Sequence, residues 1–233
     1  MIDVYTWPTP NGHKVHIMLE ETGLNYRVHS VNIREGEQFK PEFLKLSPNN
    51  RIPAIVDPDG PNGKPISIFE SGAILLYLAS KTGKLLPADM HARWSCVQWL
   101  MWQMGGLGPM MGQANHFRRY SKEKIQYAMD RYTNEANRLT SVLDKRLGEA
   151  RYTAGAEYSI SDIASFPWLR GAESRGVNIG EYPNVKRWFD EINARPAVQL
   201  ALKVLADAQA ANIAPHSDKS WDILFGKSQF QKR

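Results

Sequence analysis

The chain of 233 residues contains one cysteine, so no internal disulfide can brace it and the small cystine-rich scaffolds are excluded. It has no uncharged apolar run approaching the ~20 residues that cross a bilayer. Its start, Met1-Ile2-Asp3-Val4, has no basic segment leading into an apolar stretch. A cytoplasmic location with no membrane partner is expected. Blocks of one charge are missing too: 29 Lys and Arg against 24 Asp and Glu leave +5, and the cations are dispersed, with nothing longer than pairs such as Arg118-Arg119. Nucleic acid is not an expected partner, whereas a mildly cationic surface suits small anionic ligands. Internal repeats and low-complexity tracts are absent. What remains, 42% hydrophobic and 23% charged, is a globular composition long enough for one large domain or two small ones.

The patterning changes character partway along the chain. Residues 2–6 alternate apolar and polar, and the prolines within 8–11 end that strand. Val15, Ile17, Met18 and Leu19 then predict a helix over 12–21, stopped by Gly23. A second strand over 26–33, a short helix over 41–46, a strand at 54–56, a return strand at 66–69 and an apolar helix over 73–80 complete a β-α-β-α-β-β-α order. From Arg93 the strand signals vanish, and helices are expected around 91–116, 122–147, 159–174 and 183–206. Pro87 to His91 reads as the linker, giving an α/β domain over 1–86, an all-helical domain over 91–206 and a C-terminal extension over 207–233. In the helical half, Ser159-Ile160-Ser161-Asp162 has capping-box spacing. Gly105-Gly106-Leu107-Gly108-Pro109 lacks the preceding strand and the Lys-Ser/Thr ending of a phosphate loop and reads as a helix break. The Trp and Met residues around it form core or line an acceptor pocket.

Several polar groups fall at element ends, where backbone donors are unpaired. Thr9 and Asn11 follow the first strand, Gln38 lies in a loop, and Glu70-Ser71 stand at a helix start. A helix N-terminus favours a carboxylate and Glu70 can pair with an ammonium, so this pair either caps its helix or recognises an α-amino acid. Ile52-Pro53 is an ordinary trans proline at a strand start or a cis bond that offers the Ile52 backbone to a peptide-like ligand. Tyr5 is a competing hydroxyl, but its place in the alternation points it to the other side of the sheet. Cys96 has no partner thiol, and its surroundings read as a buried helix. His13, His16 and Glu20 share one helical face, yet no further His or Cys cluster supports a metal, and none is expected.

The segments TPNGHKV, SPNNRIPAIVD and FESGAILLYL, in that order and followed by a helical half containing YSISDIA, resemble the cytosolic glutathione transferases, most nearly the bacterial nu class. In that class Thr-Pro-Asn stands where others have tyrosine, serine or cysteine. The resemblance implies a thioredoxin-like N-terminal domain with Ile52-Pro53 as its cis-proline pair, an all-α C-terminal domain, and a homodimer. It implies that Thr9 and Asn11 face the thiol of glutathione as catalytic groups, Gln38 meets its glycine end, Ile52 pairs with the cysteinyl backbone, and Glu70 and Ser71 hold the γ-glutamyl ammonium and carboxylate. Arg131 is carried over as well, serving its own subunit or the neighbour. The implied activity is glutathione-dependent reduction of small disulfides by thiol–disulfide exchange, with conjugation as a side activity. Two alternatives are a transferase conjugating hydrophobic electrophiles and a non-catalytic glutathione-binding regulatory module.

Overall fold

A computed structural model describes residues 1–213 and 215–230; Ala214 and residues 231–233 of the C-terminal extension lie outside the described residues. The chain forms two compact units, one of residues 1–74 with 200–233 and the other of residues 75–199.

The first unit is built on a four-stranded mixed sheet. Strands β1 (Ile2–Thr6), β2 (Tyr26–Ser30), β3 (Ala54–Asp57) and β4 (Ile66–Phe69) lie in the order β2-β1-β3-β4, with β1 parallel to β2 and the other pairs antiparallel. Alternation in β1 buries Ile2, Val4 and Thr6, as expected for a sheet with one face under helices. Helix α1 (Pro10–Thr22) starts two residues before the expected Gly12. The prolines do not delay it: Pro10 occupies the first helical position, where a missing N–H costs nothing and the fixed φ suits the helix. Gly12 is required there, because a Cβ would lie 2.2 Å from the Trp7 carbonyl oxygen. The helix ends as expected at Gly23, in the left-handed conformation.

β2 stops at Ser30 rather than residue 33. Val31 N–H still bonds the Thr6 carbonyl, but the Asn32 side chain then accepts the Arg34 N–H and turns the chain. A short helix α2 (Pro41–Leu44) brings Phe43 against Val31 and Ala54. Helix α3 (Ser71–Thr82) begins in this unit and runs into the next. Within the C-terminal extension, α10 (Ala206–Ile213) is followed by α11 (Asp218–Phe225). The segment after Ala214 meets the loop that follows β2: the Arg34 guanidinium donates to the Pro215 carbonyl at 2.6 Å and Lys219 pairs with Glu35 at 2.7 Å.

The second unit is all-helical: α4 (Met90–Trp102), α5 (Gly108–Asn115), α6 (Gln126–Glu149), α7 (Ile160–Leu169), α8 (Pro183–Asn193) and α9 (Pro196–Ala201), the last crossing into the first unit at Leu200. The glycine run is no break. Residues 103–107 form a π-turn that carries α4 straight into α5, and a second π-turn over 116–120 follows. Gly108 serves packing here: a Cβ would lie 2.7 Å from Gln103 Nε2 and 3.3 Å from the Trp168 ring. The helix expected over 159–174 ends at Leu169, where the buried Arg175 donates to the carbonyls of Trp168 and Arg170. The segment expected over 183–206 is cut by Pro196, which starts α9. At the start of α7 the Asp162 carboxylate accepts the Ser159 N–H at 3.0 Å, completing the capping box.

Candidate functional site

Strand register brings the polar element ends together. Tyr5 is opposite Ala54, Ala54 is opposite Phe69, and Thr6 is opposite Ser30. The exit of β1, the exit of β2, the entry to β3 and the exit of β4 therefore share one end of the sheet. Thr9 and Asn11 follow β1, Gln38 follows β2, Ile52-Pro53 precede β3 and Glu70-Ser71 follow β4.

Thr9 caps α1. Its Oγ accepts the Gly12 N–H at 3.2 Å and its carbonyl accepts the His13 N–H at 2.9 Å, so the hydroxyl retains its own hydrogen to donate. Asn11, the second residue of α1, is half-buried beside this cap. The Ile52-Pro53 bond is cis. Ile52 packs on the Val31, Phe43 and Ala54 cluster.

Glu70 is exposed, with φ +68, a left-handed backbone that costs a non-glycine residue of order 1 kcal/mol. Its carbonyl accepts the Ile74 N–H at 2.9 Å, so Glu70 caps α3 through its backbone and leaves its carboxylate facing out, 3.4 Å from Asn49 Nδ2. Ser71 is the first residue of α3 rather than the residue before it. Its buried Oγ accepts from Lys14 Nζ at 3.4 Å. Gln38 lies in a 3₁₀ turn over 37–39 and is buried, not presented on an open loop. Its Nε2 donates to the Ile33 carbonyl at 3.1 Å, and its Oε1 has no partner among the described residues.

Arg131 is on α6, in the other unit, exposed and paired with Glu135 at 3.8 Å. Tyr5 points to the opposite sheet face from Thr6, stacking on His29 with centroids 4.6 Å apart. His13 and His16 stand edge to face at 5.6 Å, while His16 Nε2 and Thr6 Oγ are 3.0 Å apart; burial holds His16 neutral, pushed down to about 3. Glu20 accepts from the Tyr26 hydroxyl at 2.6 Å. Among the described residues no group of three or more His, Cys, Asp or Glu is placed to hold a metal ion. Cys96 is fully buried, 3.8 Å from Ser161 Oγ.

Two site neighbours, Asn49 and Lys14, are not apparent from the motifs. Asn49, inside the SPNNRIPAIVD segment, carries no signal for its contact with Glu70, 21 residues on. Lys14 was passed over among the apolar residues of its helix, although a cation flanked by buried positions was its signal.

The chain belongs to the glutathione S-transferase family: the N-terminal domain of that family matches residues 1–80 and its C-terminal domain matches residues 103–196. The first unit has the thioredoxin-like fold of such proteins. Among individual relatives, the disulfide-bond oxidoreductase YfcG of Escherichia coli is 51% identical over 205 residues, covering 87% of this chain and 94% of that protein. A glutathione transferase from Burkholderia graminis, solved with two glutathione molecules bound per subunit, superposes with a TM-score of 0.84 at 47% identity over 88% of each chain. One from Pseudomonas putida, with one glutathione disulfide per subunit, has the same TM-score and identity, covering 88% of this chain and 91% of the other. No described helix is long and apolar enough to cross a membrane.

Proposed function

We propose that this protein is a glutathione-dependent disulfide reductase of the nu-class type, with glutathione conjugation as a side activity. The observation that carries the reading is the convergence of the Thr9-Pro10-Asn11 helix start and the Glu70-Ser71 helix start on one end of the sheet. The names and bound ligands of the relatives support the same direction.

Glutathione carries an α-amino acid at its γ-glutamyl end, a thiol in the middle and a carboxylate at its glycine end. Glu70 pairs with the ammonium, and Ser71 with the first turn of α3 takes the α-carboxylate. The Ile52 backbone pairs with the cysteinyl unit. Gln38 Oε1, an acceptor that no described group uses, takes the glycyl amide N–H at the glycine end. Arg131 adds positive charge from its own subunit or a neighbour.

A thiol with a free pKa of ~8.5 attacks as thiolate, so the site must favour the anion. Thr9 donates its O–H to the sulfur because its oxygen already accepts from Gly12. The Asn11 amide adds a second donor, and the positive end of α1 acts in the same sense. The thiolate attacks one sulfur of the substrate disulfide. That S–S bond breaks as a mixed disulfide with glutathione forms, and the leaving thiolate takes a proton. A second glutathione thiolate then displaces the remaining thiol, so two glutathiones supply two electrons and leave as the disulfide. Cys96 takes no part.

The domains follow suit, with glutathione held by 1–86, a helical domain over 91–206 and the extension over 207–233. The protein acts in the cytoplasm as a homodimer. Met90, Trp94 and Met101, on one face of α4, are 58%, 62% and 49% exposed, an apolar stripe that a second copy covers.

Reduction of 2-hydroxyethyl disulfide with glutathione tests the chemistry. Thr9→Ala with Asn11→Ala is expected to lower turnover about 10- to 100-fold while glutathione still binds. Unchanged turnover in the folded double variant refutes the assignment.

A further inference from the structure

Lys14 stands one turn into the helix that Thr9 caps, and it is only 1% exposed. Burying a long cationic chain is expensive unless something in the fold requires the charge or the amine. Its Nζ donates to the Oγ of Ser71, which is itself buried at the first position of α3. A hydroxyl oxygen that accepts from an amine on one side directs its own O–H elsewhere. The lysine thus lies behind the group that starts α3, and it links the two helix starts that make up the candidate site.

We propose that Lys14 is a positioning residue for the aminocarboxylate end of glutathione, orienting Ser71 and supplying from behind it the positive charge that answers the ligand's α-carboxylate. The assignment rests on the glutathione reading above. It gives the γ-glutamyl end a resident counter-charge in the protein interior, in addition to the dipole of α3.

The electrostatics agree. Burial pulls the Lys14 ammonium down to about 7, and the Glu70 carboxylate opposes that fall. Glu70, from the turn into α3, acts on the ammonium, and His13 and His16 lie within two residues of Lys14 on the same helix, His16 being neutral. A ligand carboxylate at the start of α3 adds a second negative charge, so binding draws a proton onto the amine. At pH below about 7 the amine is already charged and affinity is level; above it each binding event must take up a proton, and affinity falls as pH rises.

The test is calorimetric, with two ligands whose sulfur is methylated so that it does not titrate. One is S-methylglutathione; the other is its 4-aminobutyryl counterpart, which lacks only the α-carboxylate. The native protein's preference for the first is expected to be ~10-fold greater near pH ~6 than near pH ~8.5, equivalent to a shift of about one pKa unit. Lys14→Met is expected to lose about 10-fold for S-methylglutathione and nothing for the counterpart, with thermal melting checking that it folds. A pH-invariant preference in the native protein, or equal weakening of both ligands by Lys14→Met, overturns the assignment of Lys14 alone. Binding of neither ligand by the native protein overturns the glutathione reading together with it.

Discussion

At the scale of single residues, the site concentrates costs that the fold itself does not need. Glu70 is held in a left-handed conformation and projects an exposed carboxylate that Asn49 meets at 3.4 Å. Glu70→Gly removes the steric penalty and is expected to raise stability by up to ~1 kcal/mol while weakening glutathione binding at least ~10-fold through loss of the ammonium partner. Denaturant melts and calorimetry on the same preparation check both halves; a less stable variant shows that the backbone there is not costly. The placement of Thr9, Asn11, Ile52, Glu70 and Ser71 at element ends was legible in the sequence because caps, prolines and turn residues act locally. Gln38 was legible as a residue but not as an interior one, since burial of a loop side chain depends on distant packing. Lys14 leaves a local signal, a cation among buried positions, but its role does not, because Ser71 is 57 residues away.

At the scale of elements, the departures from the sequence pattern share physical causes. The first strand ends before Pro8 as expected, but Pro10 also starts α1 two residues ahead of the expected Gly12, and Pro196, inside an expected helix, starts α9. Glycine was taken to break a helix that instead widens through a π-turn to let Trp168 and Gln103 approach Gly108. The helical half is also fastened by two carboxylates, buried Asp162 and half-buried Asp144, whose partners beyond the local capping box leave no trace in the sequence pattern. Asp162 accepts from the N–H and hydroxyl of both Thr153 and Ser159 and from the Trp188 indole at 2.9–3.0 Å, and Asp144 on α6 caps α8 through the N–H groups of Asn184 and Val185. Burial pushes the Asp162 carboxyl up, and those donors oppose it. Asp162→Ala strands them in the interior and is expected to cost roughly 3 kcal/mol or more, lowering Tm by about 10 °C. A shift of a degree or two in a thermal scan contradicts that role.

At the scale of the whole molecule, the change from strands to helices after residue 90 was legible because periodicity 2 gives way to 3.6 in the sequence itself. The return of residues 200–230 to the first unit was not, because Arg34 with Pro215 and Glu35 with Lys219 are pairings across more than 180 positions that leave no local trace. The exposed stripe on α4 belongs to this scale as well. Light scattering is expected to give twice the chain mass, and Trp94→Glu to return it to one; a native monomer refutes the dimer. The antiparallel register has a practical corollary. With Thr9, Gln38, Ile52 and Glu70 gathered on one rim, Met1 and the β3–β4 hairpin turn fall at the other, so affinity tags or fluorescent probes attached there are expected to leave the proposed glutathione site undisturbed.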